Sequence, residues 1–308
     1  MRRCSSTSDP SEADDVGAAR SARLLQSAAA RWVVRHQRLA AKHRQTGDLD
    51  GAERHYRRAL ALAVRALPAD HLATGSVCND LGVVLKYTGA FREAAALYER
   101  AYAVLALRLG PEHPEVATVL HNIGGLAHAA GRPADGEQAA RRAVTIREAS
   151  LGADHPEAAA DRAALAAILD ALGRHDEAAE LLEAALAVFE RTLGPDHHEV
   201  GVTLANLGAI DARRGRLDSA AMRLRRALAI KEHTLGDDHV ELVPTIGTLG
   251  VVCRRAGDPD AARQHTERAL RLLETRGLDG HPQATTLRAN LARLDDTQRP
   301  GDPDRRSP

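Results

Sequence analysis

The sequence repeats with a period of 42 residues, and this period restricts the possible folds more than any other feature. The segment LGPEHPEVA at residues 109–117 returns as LGADHPEAA at 151–159 and as LGPDHHEVG at 193–201. One histidine keeps the spacing through six copies: His71, His113, His155, His197, His239 and His281. A fixed period of this length predicts an array of similar structural units, each stacked on its neighbours.

Each period contains two predicted helices. Apolar residues recur at helical spacing, and no run of β-branched residues with a period of two interrupts them. The first helix (A) ends near a periodic glycine such as Gly131, and the second (B) ends at a Leu-Gly pair. Proline opens the next helix at Pro114, Pro156 and Pro282, where its missing N–H is harmless. The histidine segment is therefore predicted to end one helix and begin another, with the imidazole bonded to loop backbone.

Small residues at fixed positions predict close contact between helices A and B. A recurrent apolar residue of helix A, such as Leu81 or Leu207, is always followed by glycine or alanine. Glycine inside a helix costs about 1 kcal/mol relative to alanine, so its recurrence indicates a neighbour too close for a larger side chain. One helix pair cannot cover its own apolar surface, so the pairs are expected to stack.

These features resemble the tetratricopeptide repeat, in which alanines of helix B follow the glycine of helix A by 12 and 19 residues, as Ala94 and Ala101 follow Gly82. That repeat usually has a period of about 34 residues. The longer forms LGPEHPEVATVLHNIG (109–124) and LGPDHHEVGVTLANLG (193–208) are similar to the repeats of kinesin light chain. The resemblance implies an all-α fold, a right-handed superhelical α-solenoid of antiparallel helix pairs that binds a protein or peptide on its concave side. It does not imply motor transport.

The ends of the chain differ from the repeats. Residues 1–18 are polar and rich in turn formers, so a disordered N-terminal tail is expected. Residues 19–296 are expected to form the solenoid, with a long first helix over 23–45, six 42-residue repeats and a closing helix from Pro282. Residues 297–308 are expected to be a disordered C-terminal tail.

The composition argues against several classes of partner. The chain has 42 basic and 42 acidic residues and only 2% aromatic residues, so no nucleic-acid surface is expected. No run of about 18 uncharged apolar residues predicts a membrane span. Cys4, Cys78 and Cys253 are widely spaced and odd in number, which indicates reduced thiols, with Cys78 and Cys253 in the core. We expect a soluble cytoplasmic protein that binds neither nucleic acid nor membrane.

Catalysis, cofactor binding and metal binding have little support in the sequence. Motifs of the GxSxG, HExxH and P-loop types do not occur. The periodic histidines are expected to lie on a ridge about 10 Å apart, too far to share an ion. Asp196, His197 and His198 form the one denser cluster, so a weak surface metal site there is the minor alternative. We expect no enzymatic activity, no cofactor and no metal.

Aromatic and arginine-rich positions fit ordinary roles on helices. Trp32, Tyr56 and Tyr98 fit helix faces and are expected to pack against other residues rather than to contact a ligand. The arginine-rich segments ARRAVTIRE (140–148) and RLRRALAI (223–230) are expected to form a solvated face of helices B with i,i+4 ion pairs. A basic recognition stripe is the alternative for these segments.

The resemblance places the binding groove on helix A, where the residue just before the recurrent apolar position faces inward. Several of these residues are asparagines, and an amide can donate to and accept from an extended peptide backbone at once. Lysine and arginine follow one turn later, which suggests a partner with carboxylates. The candidate groove residues are Asn79, Asp80, Lys86, Asn122, His128, Asn206, Arg213, Arg254 and Asn290.

The expected function is a non-enzymatic scaffold for protein–protein interaction. Its partner would be a protein or peptide segment, acidic in character, bound in the concave groove. The alternative is a regulatory sensor that binds a small effector or peptide and controls a separate effector protein in trans. Ala163, Ala164 and Ala167 leave one repeat with a bare wall, so the partner is expected to be gripped on either side of it.

Overall fold

The computed structural model describes the backbone of residues 10–298 and the side chains of residues 26–295. Over this range the chain forms thirteen α-helices and one short 3-10 helix, without any strand. The α-helices are α1 (Pro10–Gln45), α2 (Leu49–Ala66), α3 (Leu72–Tyr87), α4 (Phe91–Leu109), α5 (Pro114–Ala129), α6 (Pro133–Leu151), α7 (Pro156–Ala171), α8 (His175–Leu193), α9 (His198–Arg213), α10 (Leu217–Leu235), α11 (Val243–Arg255), α12 (Pro259–Glu274) and α13 (Pro282–Gln298). Odd-numbered helices are the A helices and even-numbered helices are the B helices. The chain divides into two compact units, residues 1–150 and 151–308.

In the first unit, α1, α3 and α5 form a layer of A helices that covers a layer of B helices. Helix α1 packs against α2, and α3 packs against α4. Arg147 of α6 donates to the Pro114 carbonyl and the Thr118 hydroxyl of α5, at 3.2 and 3.0 Å. Each A helix also touches the next A helix, so the A layer is continuous within this unit.

The second unit repeats this arrangement with α7, α9, α11 and α13 in the A layer and α8, α10 and α12 in the B layer. One helix start differs. A 3-10 turn over Val240–Leu242 precedes α11, which begins at Val243. Pro244 has no N–H to donate to the carbonyl four residues earlier, so a regular α-helical first turn cannot form there.

These two units confirm the expected fold class, an all-α array of antiparallel helix pairs. Helix α1 begins at Pro10, within residues 1–18, for which a disordered tail is expected. Proline is favoured in the first turn of a helix. Residues 1–9 and 299–308, the remainder of both predicted tails, lie outside the described residues.

The periodic histidines cap the starts of the A helices, which confirms their structural role. In every copy Nδ1 accepts a hydrogen bond from the backbone N–H two residues later, at distances from 3.1 to 3.3 Å. The bond satisfies one of the amide groups that a helix start leaves unpaired. An imidazole nitrogen accepts only when it carries no proton, so the cap requires Nδ1 to be unprotonated. Gly173 and Gly194, with φ of 79° and 97°, provide left-handed turns between helices that other residues adopt with strain.

The small residues of helix A lie where a side chain of helix B approaches the backbone. A Cβ placed on Gly82 would be 2.6 Å from Cε1 of Tyr98, and one on Gly208 would be 2.7 Å from Cγ of Leu224. Tyr98 and Leu224 are fully buried. The predicted close contact between helices A and B is therefore confirmed.

Trp32 is 52% exposed and lies under the Arg35 guanidinium on the surface of α1. One prediction about an individual surface residue is wrong. Arg147, expected on a solvated face, is 6% exposed because it bonds to the start of α5. The expected i,i+4 ion pairs occur, as between Arg141 and Glu137 at 2.8 Å. Tyr56, Tyr98, Cys78 and Cys253 are buried as expected.

Gly82→Ala is expected to lower the free energy of unfolding by about 1–3 kcal/mol, because the new methyl group would overlap the buried ring of Tyr98. Urea denaturation followed by circular dichroism measures this change. Gly125→Ala is the matched control, since its Cβ would meet nothing nearer than Lys86 Nζ at 3.6 Å. The control is expected to be neutral or to gain up to about 1 kcal/mol from helix propensity. Equal losses in both variants would contradict the close contact.

His155→Ala is expected to cost about 0.5–2 kcal/mol of stability, because the Glu157 N–H loses the acceptor that now lies at 3.2 Å. His155→Asn should retain most of the stability, since asparagine is a strong helix N-cap. Thermal unfolding of the two variants beside the parent protein separates these outcomes. If His155→Asn lost as much stability as His155→Ala, the imidazole would have a role other than accepting the cap hydrogen bond.

Candidate functional site

The A layer of the first unit is joined by hydrogen bonds between polar side chains of successive A helices. Gln37 of α1 donates to Asp80 and Ser76 of α3, at 3.2 and 3.0 Å. Asn122 of α5 donates from Nδ2 to Oδ1 of Asn79 on α3, at 2.8 Å. Three of the candidate groove residues, Asn79, Asp80 and Asn122, are thus brought together. Asn79 and Asn122 are hydrogen-bonded to each other, and Asp80 is hydrogen-bonded to α1.

Two charged groups of this wall are partly withdrawn from water. Burial raises the pKa of Asp80, although the hydrogen bond from Gln37 opposes the rise. Burial lowers the pKa of Lys86, whose ammonium group lies 5.2 Å from the ring centre of exposed Tyr87. Among the described side chains, no carboxylate pairs with Lys86. An anionic ligand group would therefore find an uncompensated cation at this position.

In the second unit, arginines at equivalent positions of α9 and α11 bond to the preceding A helix. Arg213 donates to both carboxylate oxygens of Asp170 at 2.7 and 2.9 Å, so its charge is balanced by α7. Arg255 donates to the backbone carbonyl of Ala212. Within the described part of the chain, Arg255 forms no ion pair, and its charge remains available.

A cavity of about 350 Å³ opens in the A layer of the second unit, where α9, α11 and α13 meet. Its floor is mainly apolar, with Ala209, Val251 and Leu287 among the contributors. Polar groups surround the floor: Arg213, Thr248, Arg255, Gln283, Thr286 and Asn290. An apolar recess with a few polar groups at its edge is the usual composition of a ligand site.

The cavity contains two of the candidate groove residues. Arg213 and Asn290 line it, and Asn290 is 8% exposed, with its Oδ1 accepting from Arg293 at 3.2 Å. The Asn290 amide nitrogen is left to donate to a ligand. Arg254 does not line the cavity and is half-buried, whereas its neighbour Arg255 does line it. Of these two adjacent arginines, the sequence analysis names the one that does not line the cavity.

Asn206 and Asn122 occupy equivalent repeat positions but have different surroundings. Asn122 is 9% exposed and bonded to Asn79, whereas Asn206 is exposed. The residue equivalent to Asn79 in the repeat before Asn206 is Ala163, which has no amide to offer. Asn206 therefore keeps its amide accessible, while Asn122 is engaged in holding two helices together. His128 is exposed at the last turn of α5.

Several residues that line the cavity could not be identified from the sequence. Val243, Val251 and Leu287 have ordinary apolar side chains, and their part in a recess depends on the distance between helices. Arg255 does carry a signal in the sequence, because it lies 42 residues after Arg213 and thus at the same repeat position. Thr286 and Gln283 belong to the first turns of α13 and carried no distinguishing pattern.

The two histidines of the alternative metal site predicted from the sequence contact other groups of the protein. His197 caps α9 through Nδ1, and Nε2 of His198 lies 3.1 Å from Glu241. Over residues 26–295, no three His, Cys, Asp or Glu side chains are placed to hold a metal ion. Burial raises the pKa of the Cys78 thiol to about 11. No helix in the described range is long and apolar enough to cross a membrane.

Comparison with known proteins identifies the family. The sequence profile of the tetratricopeptide repeat matches residues 32–106, 115–186 and 162–233, together more than half of the chain. The chain belongs to the tetratricopeptide repeat family. No curated protein sequence matches this tetratricopeptide repeat protein significantly.

Solved structures with a similar fold include a putative kinesin light chain and two Rap proteins. A putative kinesin light chain with nearly identical repeats from Podospora anserina is 25% identical with a TM-score of 0.56, covering 67% of this chain and 98% of that chain. The apo form of RapI is 14% identical with a TM-score of 0.68, covering 85% and 92%. A Rap protein complexed with Competence and Sporulation Factor is 12% identical with a TM-score of 0.58, covering 84% and 73%. The Rap similarities concern the fold alone, and the predicted resemblance to kinesin-light-chain repeats is confirmed.

The different surroundings of Asn122 and Asn206 lead to a prediction about stability. Asn122→Ala is expected to lower the free energy of unfolding by about 1–3 kcal/mol, because Asn79 Oδ1 would lose its donor in a largely buried position. Asn206→Ala, at an exposed position, is expected to change it by less than about 0.5 kcal/mol. Chemical denaturation of the two single variants measures both values. Similar losses in the two would show that the Asn79–Asn122 bond does not hold the first unit together.

Proposed function

We propose that the protein is a non-enzymatic interaction module that binds a segment of another protein in the groove of its A layer. The observation that carries this proposal is the cavity between α9, α11 and α13, where apolar residues lie beside side chains that can form hydrogen bonds and ion pairs. Its volume of about 350 Å³ lies at the lower end of ligand pockets, so it suits one or two side chains of a longer segment.

The polar groups around the recess suggest how the segment is held. A small apolar side chain of the partner would enter the recess over Val251 and Leu287. The free Asn290 amide nitrogen would donate to a backbone carbonyl of the partner. Arg255, whose guanidinium is bonded to a carbonyl but has no carboxylate partner among the described residues, would take a carboxylate of the partner.

The wall of the first unit supports the same acidic preference through a different residue. Lys86 is half-buried beside exposed Tyr87, and desolvation disfavours its charge unless a ligand supplies a carboxylate. His128, exposed at the end of α5, would add a hydrogen-bonding group to this wall. We propose Asn206 and Asn290 as amide contacts of the second unit, and Lys86 as a contact of the first. The protein would act in the cytoplasm, where its buried thiols stay reduced.

A second candidate function is that of a regulatory sensor acting in trans. It is supported by the similarity in fold to a Rap protein complexed with Competence and Sporulation Factor. The enclosed part of the cavity would then receive a small effector instead of a side chain. A thermal shift produced by small metabolites and not by peptides would favour the sensor over the scaffold.

The scaffold proposal is tested by filling the cavity. Peptides selected from a random display library on the purified protein are synthesised, labelled and measured by fluorescence anisotropy. Thr248→Trp is expected to weaken their binding at least about tenfold, because the indole would occupy the recess. Arg255→Ala is expected to weaken acidic peptides by roughly tenfold and neutral peptides much less.

Thr285→Trp is the matched control for the cavity variant. Thr285 is exposed on the same helix as Leu287 and does not line the cavity, so the same chemical change should leave peptide affinity within about twofold. Selected peptides that bind the Thr248→Trp protein as tightly as the parent would contradict the proposed groove. Failure to select any peptide would favour the sensor.

A further inference from the structure

Successive A helices contact each other through side chains at recurring repeat positions. In α3 these positions are Ser76 and Asp80, which contact Gln37 of α1. In α5 the position of Asp80 is taken by Asn122, which contacts Asn79 of α3. The same positions in α1, 42 residues earlier than those of α3, are Val34 and Arg38. Among the described helices only α2 and α3 contact α1, so this face of α1 has the register of a helix-binding surface and is not covered by any of them.

The uncovered face of α1 carries a row of cations. Arg31, Arg35, Arg38 and Lys42 are exposed and lie at i, i+4, i+7 and i+11, a spacing that places them along one side of a helix over about 17 Å. Val34, 41% exposed, lies between them. We call these five residues the basic face. With Ser27, Ala30 and Leu39 they line an open depression of about 790 Å³.

None of the four cations is neutralised by an acidic side chain in the described part of the chain. Arg31 donates to the Ser27 hydroxyl at 3.2 Å, and the Arg35 guanidinium lies 5.0 Å from the centre of the Trp32 ring. The nearby carboxylates are engaged elsewhere, Asp48 with His43 and Asp80 with Gln37. Like charges one turn apart repel one another, so the row costs stability until an anionic partner compensates it. The whole chain has a formal net charge of zero, so this excess of positive charge is confined to one part of its surface.

We infer that the basic face docks an acidic amphipathic helix of another protein, which lies along α1 where a preceding A helix would lie. Carboxylates of this helix at matching i, i+4, i+7 and i+11 positions would pair with the four cations. A small apolar residue would contact Val34. A nucleic-acid duplex or a membrane surface matches the basic face less well than a helix does. Four cations are a small number for binding either one, and the residue spacing is that of helix packing.

The inference is tested with a labelled synthetic peptide that carries four glutamates at this spacing beside leucines. Fluorescence anisotropy measures its affinity, and emission of Trp32, the single tryptophan, reports binding next to Arg35. The triple change Arg31→Glu, Arg35→Glu and Arg38→Glu is expected to weaken binding at least about tenfold, and the same peptide with glutamines should bind equally weakly. Replacement of the three arginines by glutamine should weaken binding less than charge reversal.

The matched control reverses three other exposed arginines, Arg58, Arg65 and Arg92, none of which has an ion pair in the described chain. This variant has the same net charge as the test variant, so it should keep the parent affinity within about twofold. Circular dichroism melts check that both variants fold. The Thr248→Trp protein should also bind the acidic peptide normally, which separates the basic face from the proposed groove.

Several outcomes would overturn the inference. Equal losses in the two reversed proteins would mean that the peptide senses net charge only. The parent protein could instead bind phosphatidylserine vesicles or duplex DNA more tightly than the peptide and lose that binding in the Arg31→Glu, Arg35→Glu, Arg38→Glu variant. That result would assign the basic face to a membrane or to a nucleic acid. A dimer of the protein alone that dissociates on reversal, seen by sedimentation, would assign it to a second copy. Absence of peptide binding to the parent protein would leave the face without the proposed partner.

Discussion

The fold depends on one close contact, the approach of a helix B side chain to bare backbone on helix A. At Gly82 and Gly208 the buried side chains of Tyr98 and Leu224 take the space that a Cβ would need. The side chains of helix B thus fill the interior between the two helices. The other side of each helix A then contacts the neighbouring A helices, and these contacts form the A layer of each unit.

Three polar contacts between side chains of successive A helices join residues 43 apart, one more than the repeat. Gln37 meets Asp80, Asn79 meets Asn122, and Asp170 meets Arg213. A polar residue of helix A is therefore structural when the residue 43 positions away can bond to it, and it is available to a ligand when that residue cannot. Repeats that share one pattern consequently differ in the polar groups that they leave exposed, because each meets a different neighbour.

The two surfaces proposed for partners differ in their physical basis. The cavity between α9, α11 and α13 combines an apolar recess with an unbalanced arginine, Arg255. The basic face of α1 combines charge with an unoccupied packing register. Both concern partners with carboxylates, although the lysines and arginines of the whole chain equal its aspartates and glutamates in number. The distribution of charge, and not its sum, decides what each surface attracts.

The all-α class, the helix-pair period, the capping histidines and the buried cysteines could be predicted from the sequence, because helix starts, stops and apolar faces depend on residues a few positions apart. Helix α1 extends further towards the N-terminus than predicted. Only the tertiary structure decided that Arg255 and not Arg254 lines the cavity, that Asn122 is bonded while Asn206 is free, and that Trp32 is exposed. Those outcomes depend on the rotation and spacing of neighbouring A helices, which bring together residues from different repeats, and a repeat pattern read along the chain contains neither quantity.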